Sequence, residues 1–253
     1  MGGLTVVTRG DHGPTGPRTA PRRSRTGRCR RSSNHSPPVR IINRTAPEDG
    51  TWAVSSFAGG TLDVGREPNR LDELALAFSP ILDRFDVEHV YVADYVSILA
   101  GRARSTEDVD VLVERFDEGT ADDLAAALDD EGFWRPAMPL ASLYEMLDAG
   151  DTIWVAPDDQ ITPHLEVKFV RDEFDRASLE NAIAARIGDE EIPLPIGPIE
   201  LQIAYKLHLG ARTDVEDAVH LYTLFEKSLT VARLEAWVER LGVEAQYERL
   251  KRA

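Results

Sequence analysis

At 253 residues with 42% hydrophobic content, the chain has room for one large or two small domains with a real core. No apolar run approaches the roughly 18 residues of a membrane span. The single cysteine, Cys29, excludes an internal disulfide framework and fits a reducing, cytoplasmic setting. The formal net charge is −15, and it is spread unevenly.

Residues 1–46 take ten of the 29 basic residues and one of the 44 acidic ones, which leaves the rest of the chain at about −24. So acidic a body, low in lysine and with 7% aromatics, resembles proteins of salt-loving archaea, where ionic strength screens self-repulsion. An ordinary acidic soluble protein is the plain alternative. The first 46 residues are rich in Arg, Pro, Ser and Thr and show no apolar period, so they are expected to be disordered. Arg22-Arg23 and Arg30-Arg31 do not mark an export signal, because no apolar segment follows them. Clustered arginine would suit a basic arm on nucleic acid. The preferred reading is translated upstream DNA, with Val54 as a non-Met start. Residues 47–68 read as a linker.

From Leu71 the apolar positions Leu71, Leu74, Phe78, Ile81, Leu82 and Phe85 predict an amphipathic helix that Pro80 interrupts. A strand follows at 88–92. A tight turn, a two-turn helix and a Gly101-Arg102 loop then lead into a second strand, Asp108 to Val113. On that strand Val109, Val111 and Val113 share one face while Asp108, Asp110 and Leu112 share the other. Two carboxylates about 7 Å apart on a rigid strand suit a hard, oxygen-seeking ion such as Mg2+ and phosphoryl-transfer chemistry.

Thr120 is the expected start of a helix running to Gly132, closed against the core by Phe133 and Trp134. Residues 152–155 read as a strand. Residues 163–170 alternate, with Leu165, Val167 and Phe169 to the core and His164, Glu166 and Lys168 on the opposite side. If this strand lies beside the first, Glu166 joins the two aspartates, the alternative being a solvated strand position. His164 is taken as a surface residue. A helix is expected over 178–187, an extended piece over 191–196, and helices beyond Pro198. Lys206 sits among Leu201, Ile203, Leu207 and Leu209, so it needs an anionic partner. Two readings stand side by side, contact with a phosphate and an internal ion pair with Asp214 or Asp217.

The block Tyr91 to Val113, through Gly101, Arg104, Thr106, Asp108, Asp110 and its apolar flanks, resembles the signature of the nucleotidyltransferase superfamily, whose minimal fold is shared with the DNA polymerase β catalytic core. Glu200, Leu201, Lys206, Leu207, Arg212, Asp214 and Asp217 resemble the C-terminal helix pair of AbiEii-like transferases, with Thr213 in place of the usual lysine. The resemblance implies an α/β fold, a short mixed sheet flanked by helices, with a core at 69–197 and a helical lobe at 198–253. It implies two Mg2+ or Mn2+ ions on Asp108, Asp110 and Glu166. A nucleoside triphosphate would be contacted by the Asp94 turn, Ser97, Arg104, Thr106 and Lys206. The acceptor would be an RNA or protein hydroxyl, in some relatives within toxin–antitoxin systems that supply a cognate antitoxin.

The family's Gly-Gly or Gly-Ser turn is Ala93-Asp94 here. A carboxylate about 4 Å from a phosphate would cost roughly 4 kcal/mol at an effective dielectric near 20, unless Asp94 turns away. Its benign reading is a helix cap. A degenerate, non-catalytic binding module is therefore the runner-up to an enzyme.

Overall fold

The computed structural model describes residues 55–134, 140–190 and 192–252. The Arg-rich tail and Val54 lie outside the described residues. Part of the expected linker is instead sheet: β1 (Ser56–Ala58) and β2 (Thr61–Val64) form a hairpin. Strands of three and four residues are too short for alternation to reveal them.

Helix α1 (Arg70–Asp83) begins at a capping box. The Asn69 side chain accepts from the N–H groups of Leu71 and Asp72 at 2.8 and 3.1 Å, and Asp72 accepts from the Asn69 N–H at 2.7 Å. Its apolar stripe, Leu74, Phe78, Ile81 and Leu82, is buried as the spacing predicts. Then follow β3 (His89–Tyr91), α2 (Asp94–Leu99), β4 (Asp108–Val113) and α3 (Glu118–Asp130). Helix α3 starts earlier than expected because Asp117, not Thr120, is the cap, accepting from the Thr120 N–H at 2.8 Å. Phe133 and Trp134 do not close that helix but form β5, paired with β6 (Ile153–Pro157) across a short helix α4 (Leu143–Ala149).

Strand β7 (His164–Phe169) leads to α5 (Glu173–Glu180), β8 (Ile183–Ile187) and β9 (Leu194–Ile196). Of the helix expected over 178–187, residues 178–180 are the end of α5 and 183–187 are β8. Asp172 caps α5 upstream, and Ile183–Ile187 is held between β2 and β9, so sheet pairing overrides the helix propensity of its alanines. Four helices close the described chain: α6 (Ile199–Leu209), α7 (Arg212–Phe225), α8 (Val231–Leu241) and α9 (Glu244–Leu250).

The result is a mixed α/β protein whose described strands form one nine-stranded sheet, ordered β1-β2-β8-β9-β3-β4-β7-β6-β5, broader than the short sheet expected. Val109, Val111 and Val113 are fully buried in the main core with Phe78, Leu82 and Leu128. On the opposite face Leu112 joins Val90, Val170 and Leu179 in a smaller cluster. No helix of the described residues is long and apolar enough to cross a membrane.

Candidate active site

The pairing assumed from the sequence is present. Strands β4 and β7 run parallel and in register, with Asp108 opposite His164 and Asp110 opposite Glu166. Because directly opposed residues share a face, the three carboxylates and the imidazole form a four-cornered patch on the sheet. Leu165, Val167 and Phe169 are buried on the other side.

The patch is bound together unequally. Lys168 donates to Asp110 Oδ1 at 2.7 Å and lies 3.4 Å from Glu166 Oε2. Thr106 donates from its hydroxyl to Asp108 Oδ1. Burial pushes the Asp110 carboxyl above its ordinary range; Lys168 pulls against that, but the neighbouring charges of Glu166 and Asp108 push with it. Burial alone would lower the Lys168 pKa, yet its bonds and charge contacts with Asp110 and Glu166 carry it upward. The four side chains do not close into a tight cage: among the described residues, histidines counted with the acids, the group of three whose ligand atoms lie within 4.8 Å of one another is Asp94, Asp214 and Asp217. Lys168 reaches between Asp110 and Glu166, and Asp108 is drawn toward Thr106.

His164 is not a surface residue. It is 5% exposed, stacked on Trp154 with ring centroids 4.3 Å apart, and neither ring nitrogen has a hydrogen-bond partner. The alternation that placed it beside Glu166 was the available signal; its burial comes from Trp154 of β6, which no local pattern reveals.

Of the residues expected at the triphosphate, Thr106 stays at Asp108 while Asp94, Arg104 and Lys206 gather elsewhere. Ala93 holds φ 59° and ψ −129°, a conformation that residues with a Cβ avoid. Its N–H donates to Gln202 Oε1 of α6 at 3.0 Å. Asp94 does not cap α2, since Ala93 occupies the cap position with no side-chain bond. Instead its carboxylate meets Lys206 at 2.7 Å and Arg104 at 2.5 Å. Lys206, 2% exposed, also lies 2.9 Å from Asp217 and 3.4 Å from Asp214, as the internal-pair reading of that lysine requires. Arg104 reaches Asp217 as well, and Arg102 bonds both Asp217 at 3.2 Å and Glu216 at 2.8 Å. The Asp94, Asp214 and Asp217 oxygens therefore surround an ammonium rather than open space. Ser97 is fully buried with no partner for its hydroxyl, so it does not face the cleft.

That cleft, of about 280 Å³, lies between the sheet and helices α5 and α6, and is lined by Asp110, Lys168, Phe174, Gln202 and Tyr205 among others. Its charged groups are Asp110 and Lys168 of the strands with Arg171 and, on α5, Asp175, and Phe174 and Tyr205, with ring centroids 6.2 Å apart, form an aromatic wall. Its volume lies near the lower end of small-molecule pockets, about 300–1,000 Å³. Sequence reasoning gave no part to Lys168 or Gln202, which bridge this cleft to the acids and to the turn.

Fold and site together define a mixed α/β protein whose sheet presents an acidic face beside an amphipathic cleft. No protein-family model matches the chain, and no curated protein does. Among solved structures, an antigenic nucleotidyltransferase-like protein from Paracoccidioides brasiliensis is 18% identical, with a TM-score of 0.44 over 71% of this chain and 93% of that one. The antibiotic-resistance factor ANT(2'')-Ia is 15% identical, with a TM-score of 0.40 over 71% of this chain and 94% of its own.

Proposed function

We propose that the protein is a metal-dependent nucleotidyltransferase, moving a nucleoside monophosphate from a nucleoside triphosphate to an RNA or protein hydroxyl. The observation that carries this reading is the in-register pairing of Asp110 with Glu166 across β4 and β7, which sets Asp108, Asp110 and Glu166 on one face with Asp110 at the cleft wall. The donor set fits a divalent cation. Asp110 and Glu166 share the single ammonium of Lys168, Asp108 accepts from the Thr106 hydroxyl, and burial opposes the charged form of Asp110. Mg2+ or Mn2+ held by Asp108, Asp110 and Glu166 would neutralise charge on the transferring phosphoryl group and on the leaving pyrophosphate. Thr106 fixes the Asp108 carboxylate, Lys168 adds positive charge at the cleft, and Phe174 and Tyr205 offer planar surfaces to a ring. The toxin–antitoxin setting and its antitoxin partner belong to this proposal as what the sequence resemblance implies, as does a salt-rich cytoplasm.

A second reading has its own observation. Arg104 and Lys206, the cations expected at the triphosphate, are engaged by Asp94, Asp214 and Asp217, which favours a binding module without turnover. Labelled nucleotides with Mg2+ or Mn2+, total RNA and high salt separate the two. Label transfer by the wild type and its loss by at least about a thousandfold in the Asp108→Ala, Asp110→Ala double variant is the expected result. No transfer together with unmeasurable metal binding would establish the binding module instead.

A further inference from the structure

Helices α5 and α6 present polar groups to the cleft that the described protein does not satisfy. Asp175 and Ser178 line it from α5, and Gln202 and Tyr205 from α6; at i, i+3 spacing each pair shares one helix face. Gln202 is 4% exposed. Its Oε1 accepts the Ala93 N–H at 3.0 Å, which fixes the amide, because the turned-over group would set Nε2 against that N–H, donor to donor. Nε2 is therefore a fixed donor, and among the described residues it has no acceptor. Ser178, 5% exposed, likewise has no hydrogen-bond partner for its hydroxyl among the described residues. Asp175 accepts the Arg171 N–H through Oδ2 at 3.2 Å and forms no ion pair among the described residues. Burial, and then the charge of Asp172, raise its carboxyl above the ordinary range, the mark of a carboxylate short of donors. One helix thus offers a carboxylate acceptor and the other a fixed donor, and each adds an aromatic ring, Phe174 or Tyr205.

A ligand that meets all of these groups is flat and carries both donors and acceptors on its edge, which is the chemistry of a nucleobase. We propose that the cleft reads the base of the donor nucleotide, Gln202 Nε2 donating to a carbonyl or ring nitrogen and Asp175 accepting from an N–H or exocyclic amine, and that the site is selective among the four bases. The inference rests on the nucleotide reading above and extends it to base recognition; it requires no metal ion. Selectivity follows from fixed polarity. The four bases differ in the order of donors and acceptors along their edges, and a buried group left facing its own kind loses its hydrogen bond. The donor nucleotide is favoured over an acceptor base because Asp110 lines the same cleft, so a base held here leaves its own phosphates beside the acidic face.

The test titrates the full chain with adenosine, guanosine, cytidine and uridine, free of phosphate and metal, followed by NMR. Saturable binding is expected, with the best nucleoside at least about tenfold tighter than the worst. Gln202→Glu and Asp175→Asn each reverse hydrogen-bond polarity on one helix while keeping an oxygen for the Ala93 or Arg171 N–H. Each should reorder the four affinities and weaken the preferred nucleoside by at least about tenfold, whereas a merely structural side chain would weaken all four alike. The wild-type ranking needs no variant, so poor folding of one leaves the result readable. Label transfer should be fastest from the triphosphate of the preferred base. Equal affinities, or no nucleoside binding beside intact label transfer, overturn base reading alone; transfer drawn chiefly from another base overturns the assignment to the donor. Selective nucleoside binding without any label transfer supports the base pocket and counts against the transferase.

Discussion

The two charged regions of this molecule are built from the same residue types and reach opposite balances. Where α2, α6 and α7 meet, Asp94, Asp214, Glu216 and Asp217 face Arg102, Arg104 and Lys206, and each cation touches at least two carboxylates. On the β4–β7 face Asp110 and Glu166 share one lysine, and Asp108 accepts from the Thr106 hydroxyl. Two aspartates record the difference. Burial raises the Asp217 pKa, but bonds and charge from Lys206, with Arg102 and Arg104, hold it below the ordinary range. Asp110, with one lysine against two neighbouring acids, stays above it. A saturated network holds helices at a fixed spacing; an undersaturated one leaves the surplus negative charge on which the proposed cation site rests. The distinction lies in partner count, since residue type is common to both.

Removing the central cation from each region breaks the comparison if the two respond alike. Lys206→Met leaves Asp217 buried without its ammonium and is expected to cost about 3–5 kcal/mol, read from urea unfolding. Lys168→Met removes a lysine whose side chain is 35% exposed, where solvent screens its ion pairs, and should cost less than about 1 kcal/mol. Equal losses would mean that the strand face is as structural as the helix junction.

Acidification sharpens the same contrast with a smaller effect. A carboxyl whose folded pKa is depressed contributes stability that is present above its unfolded pKa of about 3.9 and lost as pH falls through the folded value. Asp217 is such a group. Lys206 has the complementary sign: raised in the folded state, its contribution is present below about pH 10.4 and lost as pH rises through its folded value. The wild type should therefore lose stability more steeply than Asp217→Asn below about pH 4, by up to about 1.4 kcal/mol per pH unit. Parallel slopes in acid denaturation would remove Asp217 from the network's account.

What the sequence made legible follows from how local each cause is. The alternation of Asp108–Val113 and of Leu165–Phe169 is written in neighbouring residues, and so the acidic face and Glu166 could be placed before any coordinates. Strands β1, β2 and β8 could not, because three or four residues carry too little pattern and the Ala-rich Ile183–Ile187 is a strand only through its neighbours. The need of Lys206 for an anion was readable from its apolar helix, and Asp217, 11 positions away, was one named partner. Asp94, 112 positions away, was placed at the phosphates instead. His164 shows the limit most plainly. Its face was legible from β7 alone, but its burial depends on Trp154 reaching across from β6.

The smallest expected effect concerns the turn that borders both regions. Ala93 lines the cleft with Asp110, while the next residue, Asp94, enters the ionic network. Its φ of 59° places a Cβ where glycine is at ease and alanine is not, at a cost of roughly 1–3 kcal/mol. The conformation is held from outside the turn: Gln202 accepts the Ala93 N–H at 3.0 Å. Gly197 leaves room for that amide, since a Cβ there would lie 2.5 Å from Gln202 Nε2. Ala93→Gly should therefore relieve strain while adding about 0.4–1 kcal/mol of unfolded-state entropy cost, for a net gain near 1 kcal/mol in urea unfolding. A loss of stability would show that the turn is unstrained. A gain in stability without change in label transfer would show that the strain serves the ionic junction and not the acidic face, keeping the two regions as separate devices joined by one residue.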